Sequence, residues 1–495
     1  TLFRSDIVIP DFTYVERNKD KLRGIVITHG HEDHTGALPY LLMDLNVSVP
    51  IYSSKLTLGF IEGKLAEHNI KGNLQEVVNG QTVKLGVFSV SFYAMTHSIP
   101  AAFGVFIRTP AGNVLHTGDF KLDQTPIDGI TPDYGAINSF ASEGVDLLLS
   151  DSTNATIPGF TGSEAAVGPT LRHIIKNAPG RVFVASFSSH IHRLQQVCDA
   201  SVAVGRKVVV TGRSMITNTK IARDLGYLKI SDDDIVDAYD VDRIPDDRIV
   251  VLCTGSQGEP LSALSRMANG EHKSLVITAN DTVIISATPV PGNEKSVQGV
   301  INSLAKIGCT IYDKSNTLVH VSGHGCQEEL KLMMAMAKPR YFMPVHGEAV
   351  HLRAHARLAR EMGIPEDHIF IADNGDSLMM RNGEVEWGES VESGVVYVDG
   401  LSVTDADPIV FRDRQKLSSD GIVTCVITVT SRRRKVGEVE LACRGVSFGT
   451  DDELIAEATE HLRTHVTKAT EQDVRVTLES LRKSCRNSLS NFLWG

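Results

Sequence analysis

Thr28-His29-Gly30-His31-Glu32-Asp33-His34 is the stretch on which the reading of this chain turns. Three imidazoles and the Asp33 carboxylate follow directly on the apolar triplet Ile25-Val26-Ile27. Imidazole and carboxylate donors suit zinc, and also manganese or iron. A tight loop at the end of a strand aims alternate side chains into one cleft. The spacing lets His29 and His31 hold one ion while Asp33 and His34 hold a second. A run of surface histidines, or a capping loop, is the plainer alternative. The order of the residues, the strand before them and Gly36 after them favour ligation.

Four donors cannot fill two coordination spheres, so further ligands must come from distant loops. His97 follows the strand Phe88 to Ala94, Asp119 follows Val114-Leu115-His116, and His346 follows Tyr341-Phe342-Met343. Each stands just past a strand. Alone, any of them reads as an ordinary loop or core residue; in this order behind the first motif they read as ligands.

Elsewhere in the chain, strands run into polar loops again and again. Leu147-Leu148-Leu149, Val182-Phe183-Val184, Val208-Val209-Val210, Val250-Val251-Leu252, Val283-Ile284-Ile285, Leu318-Val319 and Tyr341-Phe342-Met343 all do so. Apolar residues at helical spacing mark Ser163 to Lys176, His192 to Val204, Glu294 to Ile307, Gln327 to Ala337 and Ala349 to Met362. Such alternation predicts α/β architecture, with function in the loops at the carboxyl ends of strands. After about residue 400 the character changes. Ile422 to Val429 reads as a strand, Arg432-Arg433-Arg434-Lys435 as a basic cluster that touches RNA or is simply a solvated face, and Glu453 to Val466 as a helix. This predicts a small separate α/β domain.

The 495 residues imply two or three domains, and 42% hydrophobic content is ordinary for a soluble protein. No apolar run reaches the roughly 18 residues needed to span a bilayer, so no membrane is expected. No secretory signal stands at Thr1 to Pro10. The seven cysteines are scattered, without a C-x-x-C pair, which argues against a disulfide framework and against a cysteine-zinc site. A reducing cytoplasm is the natural compartment. The net charge of −11 weighs against nucleic acid, although bound divalent ions would offset it locally.

The H-x-H-x-D-H loop, a later His, a later Asp and a final His resemble the metallo-β-lactamase superfamily. That pattern implies His29, His31 and His97 on one metal, Asp33, His34 and His346 on the other, and Asp119 bridging. The implied cofactors are two divalent ions, zinc first and manganese or magnesium next, activating a water between them. Ser150-Asp151-Ser152-Thr153 looks like the acidic first motif of the β-CASP nucleases, and Val321-Ser322-Gly323-His324-Gly325 like their second. Thr254-Gly255-Ser256-Gln257-Gly258-Glu259-Pro260, Pro291-Gly292-Asn293-Glu294 and Pro344 to Glu348 extend the similarity to the bacterial ribonuclease J family over nearly the whole chain.

The resemblance implies an αββα metallo-β-lactamase sandwich begun by residues 1–153 and completed by residues 321–400. A β-CASP domain is inserted at 154–320, and a linker and C-terminal domain occupy 401–495. It implies RNA phosphodiester hydrolysis, 5′-to-3′ exonucleolytic with a 5′-monophosphate preferred and also endonucleolytic, in mRNA decay and rRNA maturation. Single-stranded RNA, a homodimer or homotetramer, and RNA-decay or ribosome-associated partners follow from it.

His324 would contact the scissile phosphate or protonate the leaving oxygen; otherwise it is a structural His on a glycine-rich turn. Asp151 would orient a ligand histidine, or cap a helix. Two loops, Ser186 to His190 with Ser188 and Ser189, and Ser322-Gly323-His324, offer hydroxyls and N–H groups ahead of helices, a geometry that suits a 5′-phosphate and equally a pair of N-caps. The family's pattern places a glycine-rich strand pair and an acidic residue ahead of the position that is Thr1 here, so an incomplete sheet beside the metal loop is expected. Two other readings stay open: a small-molecule metallo-hydrolase of the same superfamily, against which the insertion and the Ser322-Gly323-His324 motif count, and a non-catalytic RNA-decay subunit, against which the full set of ligands counts.

Overall fold

The computed structural model describes residues 7–494 apart from 46–47, 260, 291, 400–401, 404–416, 418–420, 431–435, 447–451 and 473–476. The basic cluster at 432–435 therefore lies outside the described residues. The chain divides into two compact units, Asp11–Gly394 and a second built from Thr1–Pro10 with Val395–Gly495.

In the larger unit, two sheets lie face to face. One runs in the order Tyr341–Val345, Leu147–Asp151, Gly112–His116, Ala102–Thr109, Phe88–Met95, Thr82–Leu85. The other is the parallel set Ile25–Val26, Pro50–Ser53, Asn73–Glu76. Alternate side chains of a strand face opposite ways, and here each face has its own core. Phe92, Phe103 and Val105 pack with Val26 and Tyr52 between the sheets. Tyr93, Phe106, Leu115, Leu148 and Phe342 pack outward on helices Tyr134–Glu143, Gln327–Ala337 and Ala349–Glu361. Helices Leu38–Leu45 and Lys55–Glu67 cover the far side of the small sheet through Leu38, Leu58 and Ile61. This is an αββα sandwich.

Between Asp151 and Tyr341 the chain builds a separate all-parallel sheet, ordered Ile235–Val236, Lys207–Thr211, Ile249–Cys253, Val182–Ala185, Thr282–Ile285, Thr310–Tyr312. Its strands are apolar on both faces, as parallel sheets covered on both sides require. Val182, Val184, Val208 and Leu252 meet helices Val167–Asn177, Ile191–Ala203 and Arg213–Asp224. Phe183, Val209, Val251 and Val283 meet helices Ala263–Ala268 and Glu294–Ile307. The chain is mixed α/β with an inserted domain, as expected. Leu318-Val319 is a departure: it is not a strand. The Val319 carbonyl is taken by the Arg193 guanidinium at 2.7 Å and the Ser286 hydroxyl at 2.7 Å, so no strand partner holds it.

In the second unit Ile7–Pro10 pairs antiparallel with Val395–Asp399. The hairpin Ile422–Val429 and Val436–Arg444 packs on helices Asp452–Gln472 and Leu478–Trp494 through Val439, Leu462, Val466 and Leu489. The strand expected at Ile422 to Val429 is there, and the helix expected from Glu453 runs longer than its periodicity suggested. Among the described residues no helix is long and apolar enough to cross a membrane.

Candidate metal centre

The loop after Ile25–Val26 turns at once into a single helical turn, Glu32–Thr35, with His31 as its N-cap. Gly36 closes it: a Cβ there would lie 2.7 Å from the Glu32 carbonyl, so only glycine fits. The turn throws His29 and His31 to one side and Asp33 and His34 to the other. His97 and Asp119 arrive from loops after Phe88–Met95 and Gly112–His116, and His346 from the end of Tyr341–Val345. Gly118 holds φ +61° with the Phe103 carbonyl 2.5 Å from where a Cβ would stand, which seats Asp119 tightly. His346 itself adopts φ +56°, a left-handed conformation costly for a residue with a Cβ and a mark of functional sites.

The seven expected ligands occur in two of four overlapping donor groups, His29, His31, His97 and Asp33, His34, Asp119, His346, the others being His97, Asp119, His324 and Asp151, His324, His346, each with all atoms within 4.8 Å of one another. His31 Nδ1 faces His29 Nε2 at 3.2 Å and His97 Nε2 at 3.0 Å. One oxygen joins the groups. Asp119 Oδ2 is 3.2 Å from His34 Nε2, 3.4 Å from His346 Nε2, 3.6 Å from His29 Nε2 and 3.9 Å from His97 Nε2. Asp33 Oδ2 is 3.3 Å from His346 Nε2 and 3.5 Å from His34 Nε2. All seven ligands expected from the sequence converge. A cavity of about 330 Å³, lined in part by Thr28, His34, Asp119 and His346, opens beside them.

Electrostatics fit the donor set to divalent cations. Burial first, and then the neighbouring histidines, hold His29 and His97 well below the ordinary histidine value. Burial pushes His31 down to about 4, against the pull of Asp33 and Asp119. The Nδ1–H of His97 is committed to the Gly323 carbonyl at 2.7 Å, which leaves Nε2 a bare lone pair. Neutral imidazoles with lone pairs converging this closely suit a cation between them. In the second group burial alone would lower His346, but Asp151, Asp33 and Asp119 push it up to about 11. Burial would raise Asp33, but the hydrogen bond from His346 and the nearby His34 and His31 outweigh it, and Asp33 ends well below its ordinary value. The positive charge these carboxylates demand is what a divalent cation carries.

Beside the ligands stands a buried pair. His324 Nδ1 donates to Asp151 Oδ2 at 2.7 Å, with Asp151 only 1% exposed. Asp151 Oδ1 accepts from the Thr153 hydroxyl at 2.8 Å and lies 3.4 Å from His346 Nδ1, and that hydroxyl is itself 2.9 Å from His346 Nδ1. Asp151 thus touches both His324 and His346. Burial would raise it, but those two histidines hold it well below its ordinary value. Burial lowers His324, yet Asp151 more than compensates and keeps it above its ordinary value, favouring the proton-donating form.

The Ser322 hydroxyl accepts from the His324 N–H at 3.1 Å and from Asn154 Nδ2 at 3.0 Å, and Gly323 stands against His97. Ser188 and Ser189 are half-buried; Ser188 Oγ accepts from Asn218 at 3.0 Å, and no hydrogen bond among the described residues links either serine to the histidine cluster. Sequence reasoning missed the polar network behind that loop. Arg193, fully buried on Ile191–Ala203, pairs with Glu164 at 2.7 Å. Close by, Ser186 Oγ, His190 Nδ1 and His320 Nδ1 are buried without a hydrogen-bond partner. Ionic pairs over such separations leave no local pattern to read.

Family models match in chain order. Residues 4–183 match the metallo-beta-lactamase superfamily, 179–304 the ribonuclease J beta-CASP domain, 311–371 a Zn-dependent metallo-hydrolase RNA specificity domain, and 409–494 the ribonuclease J C-terminal domain. Among curated relatives, ribonuclease J of Mycolicibacterium smegmatis is 44% identical over 89% of this chain and 79% of its own length. Ribonuclease J2 of Bacillus subtilis is 41% identical over 99% of this chain and 88% of its own. A crystal structure of a protein of unknown function from Enterococcus faecalis V583 aligns with TM-score 0.50 and 16% identity, covering 74% of this chain and 80% of that one, a likeness of fold alone. With its sandwich, its inserted parallel sheet, its hairpin-and-helix C-terminal unit and a histidine-carboxylate centre suited to divalent metal, the chain belongs to the ribonuclease J family.

Proposed function

We propose that the protein is a metal-dependent ribonuclease that hydrolyses phosphodiester bonds of single-stranded RNA. It removes nucleotides in the 5′-to-3′ direction from 5′-monophosphorylated ends, and it also cuts internally, in RNA decay and maturation. The carrying observation is the His324–Asp151 pair set against two adjoining groups of ligand atoms. Two divalent ions, zinc first, would be held by these groups, one by His29, His31 and His97 and the other by Asp33, His34 and His346, with Asp119 available to both. When bound, they would activate a water and neutralise charge on the reacting phosphate.

The chain's own residues do the rest. His324, with Nδ1 committed to Asp151, presents its Nε2–H to the leaving oxygen and gives it a proton. Asp151 holds the ring in that tautomer and steadies its positive charge. Ser322 and the Gly323 backbone belong to one of two loops suited to the 5′-phosphate. Ser188 and Ser189 belong to the other loop suited to the 5′-phosphate, and Ser186 Oγ, His190 Nδ1 and His320 Nδ1, buried without a hydrogen-bond partner, support a polar ligand there. The domain limits expected from the sequence, 154–320 for the insertion and 401–495 for the linker and C-terminal domain, are kept. The enzyme works in the cytoplasm as a homodimer or homotetramer.

The test is a cleavage assay with protein of measured metal content, on RNA bearing a 5′-monophosphate or a 5′-triphosphate. Mononucleotide release from the monophosphate substrate, abolished by chelator, is expected. Intact RNA after incubation with metal-loaded protein would falsify the reading.

A further inference from the structure

Glu329 is the third residue of helix Gln327–Ala337, directly after His324-Gly325-Cys326, and is 1% exposed. One of its bonds is a helix-capping bond: Oε2 accepts from the Cys326 N–H at 2.8 Å. Capping does not explain the other two. Oε2 also accepts from the Thr161 N–H at 2.6 Å, and Oε1 accepts from the Leu122 N–H at 2.8 Å. Three backbone segments, far apart in sequence, meet on one carboxylate.

Each segment meets the turn that carries His324. The Thr161 hydroxyl donates to the His324 carbonyl at 2.6 Å, beside Asn154 Nδ2 on the same oxygen at 2.8 Å. The Gly325 N–H donates to the Phe120 carbonyl at 2.6 Å, and Phe120 lies between Asp119 and Leu122. Cys326 is two residues past His324. Glu329 therefore fixes the residue after the His324 turn, the residue that grips its carbonyl, and the strip of chain that runs from Asp119.

We infer that Glu329 is a positioning residue that sets the His324 ring against Asp151, an inference that rests on the role proposed above for His324. A carboxylate is needed because it only accepts. Three N–H donors share its two oxygens, and an amide at this place would turn an NH2 donor against one of them.

Four proteins test this: Glu329→Gln, His324→Ala, the double variant, and Glu328→Gln as a control on the exposed side of the same helix. Metal content and circular dichroism of each are measured first. Glu329→Gln is expected to lower kcat about 10²-fold, the scale of a displaced catalytic group, with KM unchanged. In the His324→Ala background the same change adds little, because the group it positions is gone. Independent multiplication of the two effects overturns the proposal.

The second readout needs no turnover. The low-field proton of the His324 Nδ1–H to Asp151 bond, assigned by its loss in His324→Ala, shifts or vanishes in Glu329→Gln and stays in Glu328→Gln. An unmoved signal overturns the proposal. If wild-type protein cleaves no RNA, the ribonuclease reading fails while this readout still decides the role of Glu329. If Glu329→Gln does not fold, Thr161→Val, which deletes the hydroxyl on the His324 carbonyl, must move the same signal; an unmoved signal there also overturns the proposal.

Discussion

Asp151→Asn separates the proton-donating pair from the metal ligands. In the native protein this buried carboxylate accepts from His324 Nδ1 at 2.7 Å, from Phe120 N at 3.3 Å, and from the Thr153 N–H and hydroxyl at 3.0 and 2.8 Å. Asparagine is nearly the same shape, keeps one carbonyl oxygen and removes the charge. A hydrogen bond to a charged partner contributes about 1.5–3 kcal/mol. Losing the upper part of that range in the transition state lowers kcat about 10²-fold. A second effect runs through His346, whose Nδ1 lies 3.4 Å from Asp151 Oδ1. Loss of such a contact weakens metal binding by about 10–100-fold.

The assay keeps the two effects apart. Initial rates of RNA cleavage are measured at saturating RNA while metal is raised until the rate stops rising. The metal needed for half-maximal rate should increase, and the plateau should still lie about 10²-fold below wild type. A plateau equal to wild type would mean that Asp151 serves only to hold His346, and the role given to the His324 pair would be wrong.

His31→Ala and Asp119→Ala should each lower bound metal and bring turnover to background, since His31 Nδ1 and Asp119 Oδ2 each face several ligand nitrogens; near-normal turnover in either would refute the ligand assignment. Arg193→Leu should destabilise the larger unit by about 3 kcal/mol, because it removes the guanidinium from the buried Glu164 carboxylate and leaves it only Gln196 and His190, and adding Glu164→Leu should restore part of the loss; chemical denaturation with no difference between single and double variants would count against this. Acid should weaken the fold through His355, which burial pushes down to about 3. Its folded value lies below its unfolded value of about 6.5, so the unfolded chain takes up the extra proton. Its contribution is complete above the unfolded value and is lost as pH falls toward 3. Denaturation followed from neutral pH down to about pH 4.5 should give a slope shallower by roughly 1.4 kcal/mol per pH unit in His355→Gln than in wild type; parallel slopes would refute it.

Much of the fold was legible because it is written at short range. Burial with a period of two or of 3.6 residues marks an element within its own length. Glu294 to Ile307 and Gln327 to Ala337 therefore begin and end in the structure where their apolar spacing begins and ends. The expected strand at Leu318-Val319 misled because Val319 is buried without pairing, its backbone carbonyl held by Arg193 and Ser286, a contact no local pattern carries.

The candidate site divides the same way. The candidate donors were legible in the sequence: His29, His31, Asp33 and His34 lie within six residues, and His97, Asp119 and His346 each stand just past a strand. Only the folded structure shows that Asp119 Oδ2 reaches four histidines at once, and that Asp151 touches both His324 and His346. It also decided that Glu329 gathers Leu122, Thr161 and Cys326 onto one carboxylate. The reason is physical. Ligand identity and backbone conformation are properties of neighbouring residues, whereas these distances join residues from separate strands and helices and exist only once the cores of Phe92 and Phe342 have brought the sheets and helices together.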